Sequence, residues 1–143
     1  MKNYILLACC VLLMTCSKRN DDSNCRFLMN THVYVEINMD LPQYNQLLYT
    51  GSTMHIPFNI AGGNAGIIVT KGSGYRAFDA ADPNHSPSGC STLSIEGIIG
   101  TCGCEDANKY SLLDGQPQGS NGLRCGLKEY RVDVSGNRLI ISN

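Results

Sequence analysis

From His32 to Met39 apolar and polar residues alternate without a break. Val33, Val35, Ile37 and Met39 fall on one face, and His32, Tyr34, Glu36 and Asn38 on the other. A period of two with β-branched residues predicts a half-buried strand. Residues 41–47, opened by Pro42, read as a loop. Residues 53–60 (TMHIPFNI) read as a second strand in which Pro57 marks an edge or bulge. AGGNAG (61–66) is a turn and IIVT (67–70) a third strand. KGSG (71–74) then leads into YRAFD (75–79). Shorter strands are predicted around 92–95, 98–101 and 109–112. LKEYRVDV (127–134) and RLIIS (138–142) flank SGN, a Gly-containing hairpin loop of three residues. No stretch beyond the first sixteen residues carries a helical period. Many short strands with Gly-rich turns predict an all-β antiparallel sandwich or small barrel. The segment from about 79 to 127 is rich in Gly, Pro, Asn, Ser and Cys and is long for a passive connection. It is expected to form a loop-rich, site-bearing subdomain.

The alternation is missing from the opening stretch, MKNYILLACCVLLMTC. Lys2 supplies a short positive region, and residues 4–14 supply an apolar run too short to cross a bilayer as a helix. Residues 1–16 therefore read as a signal peptide. Their end, Leu13-Met14-Thr15-Cys16, resembles a bacterial lipoprotein signal, in which the cysteine is acylated and becomes the mature N-terminus. The alternative is an ordinary secretory signal with Cys16 as an incidental thiol. SKRNDDSN follows, polar and without periodicity, so residues 17–29 read as a flexible tether and 30–143 as the folded domain. The tether is similar to acidic stretches in surface-displayed lipoproteins of Bacteroidetes-type bacteria. That resemblance implies a lipid-anchored protein of the cell envelope, at the outer membrane, on its periplasmic or surface face.

Charge narrows the partners. The chain has 11 basic and 12 acidic residues, no Lys/Arg run and a formal net charge of -1. Nucleic acid is not an expected partner. The membrane, through the lipid anchor, is the expected one, and any protein or small-molecule ligand is unidentified by sequence. Of 8 cysteines, Cys9, Cys10 and Cys16 belong to the leader or lipid site. Cys25, Cys90, Cys102, Cys104 and Cys125 remain, in a compartment where disulfides persist. An odd count leaves one thiol over.

FDAADPNHSPSGC, GTCGCEDANKYSLLDGQP and GLKEYRVDVSGN together resemble Rieske-type iron–sulfur domains, over roughly Gly66 to the C-terminus. In that family two loops hold a [2Fe–2S] cluster through Cys-x-His and Cys-x-x-His boxes, two thiolates on one iron and two imidazoles on the other. The resemblance implies a Rieske-like fold with a degenerate site. Asp82 stands at the first cysteine position, Asn84 at its histidine with His85 one residue late, Cys102 at the second cysteine and Glu105 at the second histidine. One matching ligand, or two with His85, implies that the fold was kept and the cluster lost. The family's loop-bridging disulfide implies a Cys90–Cys104 pair, worth about 3 kcal/mol for a loop of this size. Cys125 lies where the family's chain packs over the cluster, which suggests a Cys102–Cys125 disulfide with Cys25 left as the odd thiol.

The expected function is thus a non-catalytic envelope lipoprotein with a binding or structural role and no cofactor. One alternative is a Rieske-type [2Fe–2S] electron-transfer protein with a divergent ligand set, in which His85 and Cys102 still hold metal. Another is a zinc-stabilised structural module using Asp82, His85, Cys102 and Glu105. A lone loop histidine such as His85 is more often simply hydrogen-bonded, and His32 and His55 lie in predicted strands. CGC is not expected to be a redox dithiol, because such pairs are usually Cys-x-x-Cys at a helix N-terminus and the neighbouring acids disfavour a thiolate. No nucleophile–base order or phosphate-binding loop stands out.

Overall fold

The computed structural model describes residues 25–119 and 122–143. The leader, the lipid-site Cys16 and the first residues of the expected tether lie outside them. The alternation after His32 builds β1 (Tyr34–Asn38), with Val35 and Ile37 buried and Tyr34 and Glu36 exposed. A 3-10 turn (Asn45–Leu48) buries Leu47 and leads into β2 (Thr53–Ile56). Here the sequence reading needs correction: strand character stops at Ile56, and Phe58–Ala61 form a one-turn helix, α1. Pro57, expected as a strand irregularity, instead sits with extended backbone immediately before the helix. Its carbonyl accepts from the Ile60 and Ala61 amides. A proline at a helix entrance is compatible because its missing N–H would have had no intrahelical partner.

β3 (Ile67–Lys71) and β4 (Tyr75–Asp79) follow, then β9 (Glu129–Ser135) and β10 (Arg138–Ser142) at the end of the chain. These form an antiparallel six-stranded sheet in the order β1-β10-β9-β4-β3-β2. The β9–β10 turn is tighter than expected: Ser135 pairs with Arg138, so Gly136 and Asn137 alone make the loop. Gly136 has φ 57°, and a positive φ at the first central residue gives a hairpin loop whose twist matches that of the strands. A bridge between Val33 and Gly62 brings the region of α1 to the β1 edge and curls the sheet around its apolar face. That face packs Val33, Ile37, Ile67, Val69, Leu139 and Ile141, all fully buried, with Tyr130.

The segment expected to be loop-rich carries a second antiparallel sheet: β5 (Leu93–Glu96), β6 (Ile99–Cys102), β7 (Lys109–Ser111) and β8 (Pro117–Gln118), in chain order. It packs on the opposite face of the large sheet. The near-continuous apolar run of β3 serves both sides, because Ile67 and Val69 enter the first core and Ile68 enters a second. This second core joins Ile68 and Phe78 of the large sheet to Leu93, Cys102, Tyr110 and Leu112 of the small one. The fold is all-β with a loop-rich site subdomain. Two connections of that subdomain, residues 80–92 and 103–108, meet at one tip.

Candidate functional site

At that tip CGC divides its two cysteines. Cys104 is disulfide-bonded to Cys90, with Cα atoms 4.9 Å apart, so the two connections are covalently joined. Gly103 lets them approach: a Cβ there would stand 2.8 Å from the Cys90 carbonyl oxygen, closer than a side chain allows. Cys102, the last residue of β6, points the other way, into the second core. It is 3% exposed and is the free cysteine of the described residues. Burial pushes its thiol pKa up to about 11, and the nearby Asp82 carboxylate adds to that effect. At neutral pH this is a protonated, shielded thiol.

Cys125 departs from expectation. It is bonded not to Cys102 but to Cys25, across 100 residues of sequence with a Cα–Cα distance of 5.5 Å. Cys102 is therefore the odd thiol and Cys25 is not. The physical reason is the path of the first described residues, which run along the outer side of the segment at Cys125. The Met29 carbonyl accepts from Lys128 Nζ at 2.8 Å and from Asn64 Nδ2 at 3.1 Å, and Asn64 Oδ1 accepts from the Met29 amide at 2.9 Å. Residues 25–29, expected as the end of a tether, are fastened to the domain. Cys102 lies on the inner side and meets the Cys90 carbonyl instead, at 3.8 Å.

The remaining positions form one polar network. Asp82 is fully buried. Its Oδ1 accepts from Tyr110 Oη at 2.5 Å and from the Asn84 amide at 2.8 Å, and its Oδ2 accepts from Asn108 Nδ2 at 3.0 Å. Burial alone would raise the Asp82 pKa; the bonds from Tyr110, Asn84 and Asn108 outweigh it and hold the carboxyl below its usual range. The same pairing, with burial as the larger cause, raises the Tyr110 phenol well above its ordinary value. Asn84 Nδ2 donates to Tyr110 Oη at 2.7 Å and to the Cys125 carbonyl at 2.9 Å, while its Oδ1 accepts from the Cys125 amide at 3.3 Å. One side chain thus clamps the Cys125 segment to the first connection. His85 sits at the mouth, its Nε2 2.6 Å from Asp106 Oδ2, and Asn108 Nδ2 also donates to Asp106 Oδ2 at 2.7 Å.

The structure therefore brings together Asp82, Asn84, His85 and Cys102. Glu105 is exposed, and the neighbouring Asp106 supplies the carboxylate that reaches the group. Asp106, Asn108 and Tyr110 were not singled out by sequence. The one local signal was period two through residues 108–110, which puts Asn108 and Tyr110 on one face of the β7 region. Asp106 is held at the mouth by His85 and Asn108, and the next residue, Ala107, has a φ of 45°, unusual for a residue with a Cβ.

A [2Fe–2S] centre of the Rieske kind needs two thiolates and two imidazoles. This tip offers one thiol and one imidazole. Cys104 is oxidised in a disulfide, the Asn84 amide is committed to Tyr110 and Cys125, and Asp82 offers a carboxylate where the cluster takes a thiolate. The residues present do not fit that cluster.

No protein-family model and no curated protein matches the chain. Among solved structures, similar chains include one from a complex of reduced oxygenase and oxidized ferredoxin in carbazole 1,9a-dioxygenase, at 15% identity and a TM-score of 0.48, covering 77% of this chain and 93% of that one. Another is the ferredoxin of carbazole 1,9a-dioxygenase from Nocardioides aromaticivorans IC177, at 16% identity and a TM-score of 0.46, covering 77% and 95%. No helix of the described residues is long and apolar enough to cross a membrane.

Proposed function

We propose that this chain is a lipid-anchored envelope protein whose Rieske-like domain carries no [2Fe–2S] cluster and has a non-catalytic, binding or structural role. The observation that supports cluster loss is the donor chemistry at the tip, where one free thiol, Cys102, and one imidazole, His85, stand beside carboxylates and an amide in place of a second thiolate and imidazole. Asp82 holds Tyr110, Asn84 and Asn108, and Asn84 holds the Cys125 segment. In the resembling family a metal centre ties two loops together. Here the Cys90–Cys104 disulfide and this network do so, and a buried polar network in which every member is satisfied fixes one arrangement of the loops. Anchoring rests on Cys16 and the leader that precedes it. The membrane is the proposed partner, through the acyl chains.

Two measurements test this reading. Metabolic labelling with a palmitate analogue should mark the wild-type chain and not Cys16→Ala; equal labelling of both removes the anchor. Purified protein should be colourless and free of acid-labile sulfide; a brown protein with about two iron and two sulfide per chain removes the cluster-free reading.

A further inference from the structure

Four side chains with metal-ligating atoms converge at the tip of the small sheet. A ligand atom from each of Asp82, His85, Cys102 and Asp106 lies within 4.8 Å of all the others. The two acids are drawn together across a single amide group, since Asn108 Nδ2 donates to Oδ2 of both, at 3.0 and 2.7 Å. We infer that Asp82, His85, Cys102 and Asp106 form a mononuclear site for a divalent transition metal of the zinc type. The inference rests on the cluster-free reading, because one metal ion would occupy the place where the family holds two irons.

The donor chemistry fits. One thiolate, one imidazole and two carboxylates form a mixed set that zinc accepts, whereas magnesium and calcium take oxygen alone. With metal–ligand bonds of about 2.0–2.3 Å, tetrahedral donors stand about 3.3–3.8 Å apart. Every pair of these ligand atoms already lies within 4.8 Å, about 1 Å beyond the upper end of that range. The pair already in contact, His85 Nε2 and Asp106 Oδ2 at 2.6 Å, has to open slightly. The hydrogens to be displaced are identifiable. Cys102 gives its thiol proton to solvent, and His85 presents Nε2 unprotonated with its remaining proton on Nδ1. No electron is transferred.

The supporting groups are also in place. Metal-binding carboxylates are usually held by further hydrogen bonds. Here Tyr110 Oη and the Asn84 amide hold Asp82 Oδ1, and Asn108 steers both acids. Asp82 and Cys102 are buried, while the His85 and Asp106 side chains are 33% and 42% exposed, which gives the ion an entrance. Cys104 Sγ also lies within 4.8 Å of the Cys102 and His85 ligand atoms, but its disulfide excludes it. The set differs from the sequence expectation at one position, with Asp106 replacing Glu105, and that difference makes the test specific.

The probe is cobalt(II), followed by competition with zinc(II), added to the exported chain purified with both disulfides intact and stripped of metal. The expected result is one cobalt per chain, with visible bands of tetrahedral intensity and a thiolate-to-cobalt charge-transfer band, all bleached by zinc. Asp106→Asn should weaken binding by about tenfold or more, and Asn108→Ala by about 10–100-fold. Glu105→Gln should leave it unchanged. Cys102→Ser should remove the charge-transfer band. Should that variant not fold, the paired comparison of Asp106→Asn with Glu105→Gln decides. A wild-type protein with no charge-transfer band at saturating cobalt, or equal weakening by the two acid variants, overturns the site. Either failure leaves the iron and sulfide content unaffected and so is distinct from failure of the cluster-free reading.

Discussion

Replacing Tyr110 with Phe removes one oxygen from the centre of the tip network and leaves the ring in the second core. The hydroxyl is fully buried and has two partners, donating to the Asp82 carboxylate and accepting from Asn84 Nδ2. A hydrogen bond to a charged group is worth about 1.5–3 kcal/mol, and an abandoned neutral donor costs about 1 kcal/mol more. Asp82 keeps its bonds from the Asn84 amide and Asn108, which softens the loss. The expected destabilisation is about 2–3 kcal/mol, equivalent to a fall in Tm of about 10 °C for a domain of this size. Urea unfolding under non-reducing conditions reads it as a lower midpoint with an unchanged slope. Tyr130→Phe is the matched control, because its hydroxyl donates to buried Asp79 at 2.6 Å away from the tip. A double-mutant cycle with Asp82→Asn should give a coupling of about 1 kcal/mol or more. A Tyr110→Phe loss below about 0.5 kcal/mol would refute the idea that this network holds the loops together.

Thiol titration should find no reactive thiol in the folded domain and one after denaturation without reductant, assigned by mass spectrometry to Cys102; alkylation at Cys25 would contradict the observed pairing. Serine replacement of both Cys25 and Cys125 should cost up to about 4.7 kcal/mol, and of both Cys90 and Cys104 about 3 kcal/mol, in proportion to the loops they close; urea midpoints measure both. Alkaline pH should destabilise the domain. Burial first, and Asp79 second, raise the Tyr130 phenol above its ordinary value, so its contribution is present below about pH 10 and is lost as pH rises beyond, when the unfolded chain ionises first. Tyr130→Phe should flatten that part of a pH–stability curve, and an unchanged slope would remove the phenol as its cause.

The strands were legible wherever apolar and polar residues alternated or β-branched residues ran together, as at Val33–Met39 and Ile67–Thr70. Their limits were less so. Pro57 looked like a strand defect because proline restricts φ equally in an edge strand and before a helix, and the bonds from the Ile60 and Ala61 amides to its carbonyl distinguish the two. The composition of residues 79–127 marked the region of the site, and the resemblance pointed to Asp82, Asn84, His85 and Cys102, which the fold does bring together. It did not reveal Asp106, because the family's spacing draws attention to position 105 and Asp106 is identified by its contacts with His85 and Asn108, which no local pattern encodes. Nor could it assign Cys125. Its partner lies 100 residues away, and pairing across such a distance depends on the path of residues 25–30 over the outer surface, which no local pattern encodes.

Cluster loss is tested most directly by the iron and acid-labile sulfide content of the exported protein, produced with iron supplied and purified without oxygen. The expected result is a colourless protein with far less than one iron per chain and no sulfide. About two irons and two sulfides per chain, with the visible absorption of a [2Fe–2S] centre, would contradict it.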